Sequence, residues 1–115
     1  MNFDHLSPSQ IRLMLWDYIS RQLHLPASTK SILLVIANLT DPRSLRARIP
    51  ISLIVVHGGL SQSDTNRLLV NLEANQWVSK MLVPDEAIGR PPITLYNLSE
   101  QLVRAALQAS KRSSD

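Results

Sequence analysis

A glycine pair, Gly58-Gly59, followed directly by Leu60 and Ser61, is the feature that most constrains the fold of this chain. Glycine readily adopts the positive φ that a tight turn between two helices requires. Ser61 can cap the next helix, and Asp64 stands three residues further on, the spacing of a capping box. The segment therefore predicts two helices joined by a tight corner, with Leu60 inserted into the core between them.

The helix after this corner is predicted to have two different faces. Its apolar and β-branched residues recur at helical spacing and predict the face that packs on the core: Thr65, Leu68, Leu69 and Leu72. The remaining polar residues are then expected on the outer face: Gln62, Ser63, Asn66 and Arg67. An exposed Asn can hydrogen-bond adenine and an exposed Arg can hydrogen-bond guanine. A solvated helix face without a partner is the alternative interpretation.

Capping residues, glycines and prolines divide the rest of the chain into further elements. The predicted helices span about 8–24, 28–40, 50–57, 62–75 and 100–110, with a β-hairpin over 77–98. Ser28 or Thr29 is the expected cap of the second helix, and Ser99 that of the last. The β-branched residues of 51–57 favour a strand by propensity, but the adjacent glycine turn favours a helix. The sequence thus predicts a single domain of 115 residues that is mainly α with a small β-hairpin.

Composition argues against several classes of function. The chain has no cysteine, which excludes disulfides, thiolate metal sites and cysteine nucleophiles. His5, His24 and His57 are scattered, and His57 is interpreted as a partly buried structural residue. We find no catalytic set, phosphate loop or spaced pair of carboxylates, so we expect no enzyme, cofactor or metal. Apolar segments are too short to span a bilayer and no signal peptide is visible, so we expect a soluble cytoplasmic protein.

A short basic segment precedes the glycine corner, with Arg43, Arg46 and Arg48 close together in the sequence. The net charge is +3, which is compatible with a polyanionic partner but is shared by many proteins without one. A basic patch that could contact phosphates is predicted from Lys30, Arg43, Arg46 and Arg48. Asp64 is interpreted as a first-turn residue that interacts with the helix dipole and the cap, with a contact to cytosine as the alternative.

The stretch from Val55 to Leu69 resembles the helix-turn-helix of bacterial winged-helix regulators. Those proteins often show a Gly-Leu-Ser turn, then a small residue, a β-branched residue, a polar residue and Arg. The matching residues here are Gly59, Leu60, Ser61, Ser63, Thr65, Asn66 and Arg67. Segments 69–78, 89–92 and 96–99 are similar to the helix end, wing and closing strand of MarR-like and related regulators. The resemblance covers roughly residues 28 to 110 and implies a winged helix-turn-helix with extra N- and C-terminal helices.

The resemblance implies a homodimeric, sequence-specific regulator that binds double-stranded DNA. Helix 62–75 would enter the major groove, Arg90 at the wing tip would reach the minor groove, and helices 8–24 and 100–110 would pair the subunits. The candidate DNA-binding residues are Ser61, Gln62, Ser63, Asn66, Arg67, Arg90, Lys30, Arg43, Arg46 and Arg48. A pocket for an effector beside the first helix is possible in such regulators, but no residue here specifies a ligand.

Two other functions stay open. The same module serves plasmid or phage proteins that bind replication origins or partition sites. A winged helix can also bind another protein instead of DNA, and three acidic residues favour that alternative, Asp64 on the outer helix and Asp85 and Glu86 in the wing.

Overall fold

The chain folds into helices around a small antiparallel sheet. The computed structural model describes residues 6–45, 47–86 and 89–113, with side chains described as far as Lys111. In chain order the elements are α1 (Pro8–Asp17), a π-helical turn (Tyr18–Gln22), α2 (Ala27–Leu39), β1 (Ile49–Pro50), α3 (Ile51–Gly58), α4 (Gln62–Ala74), β2 (Val78–Val83), β3 (Ile93–Leu98) and α5 (Glu100–Ser113). The described part is therefore mainly helical, as predicted, and its sheet has three strands rather than two.

The first helix begins at a complete capping box. The Ser7 hydroxyl accepts a hydrogen bond from the Gln10 amide (3.2 Å), and the Gln10 side chain accepts one from the Ser7 amide (2.7 Å). One continuous helix was expected over 8–24, but α1 changes at Tyr18 into a π-helical turn. Buried Ile19 lies within this turn, so the change of helix type leaves the core side of the segment in place.

Helix α2 lies at the centre of the core. Ile32, Leu33 and Ile36 on this helix are fully buried, and α1, α3 and α4 all pack against it. The expected cap at Ser28 or Thr29 was wrong. Pro26 is the N-cap, with no side-chain cap bond, because its fixed backbone lets its carbonyl accept from the Lys30 amide (3.0 Å) and start the helix earlier.

The sheet has the strand order β1-β3-β2, with both pairs antiparallel. The hairpin of β2 and β3 was expected from the sequence, whereas β1 was not. Ile49 pairs with Tyr96 and Pro50 with Leu95. Proline is tolerated here because β1 is an edge strand. A strand of two residues leaves no periodic signal in the sequence, and it arises from pairing with β3.

The connector between α2 and β1 is held at both ends. At its start, the Asp41 carboxylate accepts from the Arg43 amide and the Ser44 hydroxyl, both at 3.0 Å, and these two bonds lower the pKa of Asp41. At its end, the Ala47 and Arg48 amides both donate to the Asn97 side-chain oxygen on β3. The connector is thereby fastened to the same sheet that carries the hairpin.

The corner between α3 and α4 has the predicted geometry. Residues 51–58 are helical, and Gly59 ends that helix in the left-handed conformation with φ of 71°. Ser61 caps α4 by accepting from the Asp64 amide at 3.1 Å, and Leu60 packs against the core. The interpretation of His57 was wrong, because this side chain is exposed. The residues of α3 that face the core are Ile54 and Gly58 instead.

Alanine substitutions at the two adjacent glycines should change the free energy of unfolding in opposite directions. Gly59→Ala should lower the free energy of unfolding by about 1–2 kcal/mol, because its left-handed backbone disfavours a Cβ atom. No neighbouring atom would lie within 4 Å of that Cβ, so the loss is purely conformational. Gly58→Ala is the matched control: it should raise the free energy by up to about 1 kcal/mol through helix propensity. Urea unfolding measures both, and equal effects at the two positions would contradict this account.

Loss of the Asn97 acceptor should release the connector. Asn97→Ala removes the acceptor of the Ala47 and Arg48 amides and should lower the free energy of unfolding by about 1 kcal/mol, because water can partly replace the acceptor at these part-buried and exposed bonds. Asn97→Asp retains an acceptor oxygen and should keep most of the stability at pH 7. Urea unfolding would show the difference, and equal destabilisation by both substitutions would argue against an acceptor role.

Candidate nucleic-acid interface

Helix α4 presents one polar face to solvent and buries the other. Its inner face is buried as predicted, with Thr65 0% and Leu69 1% exposed. Gln62, Ser63, Asn66 and Arg67 are all exposed. The four candidates on this helix therefore share one accessible surface, which we call the α4 face. Hydrogen-bonding groups on an exposed helix face of this kind can reach base edges in a DNA groove.

The elements that pack against α4 fix the direction in which the α4 face points. The helix packs against α2 and α3 on its inner side and against β2 at its end. Lys80 on β2 forms an ion pair with Glu73 on α4, with 3.4 Å between Nζ and Oε1. Position and orientation of the α4 face thus depend on the core and on the hairpin together.

Arg67 and Asp64 form an ion pair on the α4 face. Arg67 Nη2 lies 3.3 Å from Asp64 Oδ1, one helical turn earlier. Both side chains are largely accessible to solvent, at 74% for Arg67 and 53% for Asp64. The guanidinium is therefore available to a ligand, but with one amino group already oriented by a carboxylate.

Val70 extends the α4 face and was not among the predicted site residues. It is 61% exposed and follows Arg67 by three residues, so both lie on the same side of the helix. Helical spacing contains the signal for this placement, because Leu69 and Leu72 define the opposite, buried side. An exposed apolar side chain there can contact the methyl group of thymine.

The predicted basic patch is only partly assembled. Arg43 and Arg48 in the connector are exposed, and neither belongs to an ion pair among the described residues. Arg46 lies outside the described residues. Lys30 is half-buried at the other end of α2, where its ammonium donates to the Ser20 carbonyl at 2.8 Å. The length of α2 thus keeps Lys30 away from the connector.

The hairpin carries both charge and apolar surface. Arg90 is exposed and lies 4.0 Å from the Asp85 carboxylate, while Glu86 is exposed next to that acid. The strands expose a group of large apolar side chains, namely Met81, Leu82 and Ile93. The loop predicted to be the wing therefore carries less net positive charge than Arg90 alone would give it.

A groove of about 550 Å³ lies between α1 and α5. Its lining includes Leu13, Trp16, Tyr18, Ala106 and Ala109. Leu13 and Trp16 remain 63% and 41% exposed. An accessible apolar surface of this kind on two terminal helices is typical of a protein contact.

In the described part of the chain, no group of three or more His, Cys, Asp or Glu side chains is arranged to hold a metal ion. His24 is exposed in the loop between the π-helical turn and α2, His57 is exposed on α3, and His5 lies outside the described residues. None of the helices in the described ranges combines the length and apolar character needed to cross a membrane.

No protein-family model matches the chain, and no curated protein sequence matches it.

Proposed function

We propose that this chain is a winged helix-turn-helix protein that binds double-stranded DNA in a sequence-specific manner, with α4 in the major groove. The observation that carries this proposal is the exposure of Asn66 and Arg67 on α4, directly after a left-handed glycine corner and opposite a buried face. A helix fits the major groove, and these two side-chain types discriminate between base pairs there.

Contacts to the DNA backbone would come from around α4. Ser61, Gln62 and Ser63 begin the helix and offer hydroxyl and amide donors to phosphates or bases. Arg43 and Arg48 supply exposed cations from the connector. Arg90 would reach a flanking minor groove by giving up its contact with the Asp85 carboxylate. Net basic charge in this arrangement is modest, so base contacts must supply much of the affinity.

A homodimer fits the exposed groove between α1 and α5. Leu13 and Trp16 would be covered when the same surface of a second subunit packs against them, which is the self-complementary contact of a two-fold dimer. Two α4 helices related by that axis would bind a near-palindromic site with half-sites about 34–36 Å apart. A transcriptional regulator is the role we propose, and a replication or partition protein would use the same geometry on repeated sites.

Binding of another protein is the second candidate function. The exposed apolar side chains Met81, Leu82 and Ile93 on the hairpin favour it, because such groups gain little from contact with phosphates and much from burial against apolar surface. In that case the hairpin would form the main interface, and α4 would remain solvated.

Removal of the Arg67 side chain tests the role of the α4 face. A preferred site is first selected from duplexes with a randomised centre. Arg67→Ala should then weaken binding to that site by about 1–3 kcal/mol and relax the preference at one base pair. Arg104→Ala is the matched control, because Arg104 is an exposed arginine paired with an acid on α5. Unchanged affinity and preference for Arg67→Ala, measured by fluorescence anisotropy, would refute the proposal for this residue.

Salt dependence separates the two candidate functions. Binding to a random-sequence duplex should weaken steeply as salt rises, because phosphate contacts release counterions. Arg43→Ala and Arg48→Ala should each reduce the slope of log K against log salt by about one. A chain that binds no duplex even at low salt would instead support the protein-binding alternative.

A further inference from the structure

The Asp64 carboxylate does not complete the cap of its own helix. In α1, the residue at this third position, Gln10, reaches back to the Ser7 amide and closes the box. In α4, Ser61 caps the Asp64 amide, but the Asp64 side chain extends along the helix to Arg67. The acid therefore lies in the first turn as expected, but it does not close the capping box that its spacing from Ser61 predicts.

Stability accounts for this arrangement only in part, through the interaction of a first-turn acid with the helix dipole, and attraction to DNA does not account for it. Exposed ion pairs between neighbouring turns of a helix contribute little to stability because water screens them. A carboxylate on a surface that approaches phosphates also repels them. The α4 face thus carries an acid that weakens general binding to DNA. The same acid is paired with Arg67, the only cation among the described residues of this face.

We propose that Asp64 is a positioning residue that holds the Arg67 guanidinium for contact with guanine, so that the protein loses general affinity for DNA and gains discrimination. This inference rests on the proposed function. A guanidinium contacts guanine through two parallel hydrogen bonds to O6 and N7, which require a defined orientation of its plane. Asp64 Oδ1 restrains one amino group, Nη2, at 3.3 Å. Arg67 is thereby ordered before DNA arrives.

The carboxylate also acts against the wrong base pair. Guanine offers two acceptors to Arg67 in the major groove, whereas other base pairs offer fewer or different ones. Where Arg67 finds no such acceptors, the repulsion between Asp64 and the DNA is not offset by contacts to guanine, and that complex forms only weakly. Discrimination built from an attractive group and an adjacent repulsive one is a general way to obtain specificity.

The test compares Asp64→Asn with Glu100→Gln. Glu100 is an exposed acid in an ion pair with Arg104 on α5, so its substitution removes the same charge away from α4 and outside the lining of the groove between α1 and α5. Each variant and the wild type are measured by fluorescence anisotropy on the duplex selected by the wild type, on a scrambled duplex, and on the selected duplex with 7-deazaguanine at the preferred guanine. Urea unfolding of each variant verifies the fold.

Asp64→Asn should bind the scrambled duplex more tightly by roughly two- to fivefold, because one repulsive charge is lost. Its preference for the selected duplex should fall by at least about fivefold, and its sensitivity to 7-deazaguanine should fall in parallel, because Arg67 is no longer oriented. Glu100→Gln should change neither quantity. Asp64→Glu, which retains the charge, should restore the guanine preference in part.

The outcomes separate this inference from the function on which it depends. A wild-type chain that selects no site and binds no duplex would overturn the proposed function, and this inference with it. A wild-type chain that selects a site, combined with an Asp64→Asn variant of unchanged guanine preference, would overturn the role of Asp64 alone. An equal effect of Glu100→Gln would also overturn it, since the change would then reflect net charge.

Discussion

The packing of the inner face of α4 against the aliphatic core is the interaction that holds the rest of the structure in place. Thr65, Leu69 and Leu72 are almost completely buried, and each large aliphatic side chain buried in this way contributes about 1.5–3 kcal/mol. Because the helix period is fixed, burial of this side determines that Asn66 and Arg67 point outward. The left-handed residue Gly59 makes this packing possible, since it lets α4 turn away from α3 and pack against α2.

Local chemistry predicts most of this arrangement from the sequence. The two faces of α4, the glycine corner and the caps at Ser61 and Ser99 follow from spacing and from side-chain hydrogen bonding, and the structure has them. What the sequence could not predict depends on partners far away in the chain. Strand β1 exists through its pairing with β3, and Asn97 binds amides some fifty residues earlier.

Electrostatic contacts of the candidate site were also beyond the sequence pattern. Composition identifies Arg67, Arg90 and Lys30 as cations, but whether a cation is available depends on its neighbours in space. Two of them face carboxylates, and Lys30 donates to a backbone carbonyl. The α4 face is therefore close to neutral. Under the proposed function, a nearly neutral α4 face would bind weakly to any DNA and would depend on the match between side chains and bases, since phosphate attraction is insensitive to sequence.

The double hydrogen bond at Asn97 has a mechanical consequence. Its side-chain oxygen fastens residues 47 and 48 to β3, and β3 is paired along its length with β2. The arginine-bearing connector is thus attached to one strand of the hairpin, and α4 packs against the other strand. Because these parts of the candidate site share one sheet, a substitution that shifts β3 is expected to displace the connector and the hairpin together.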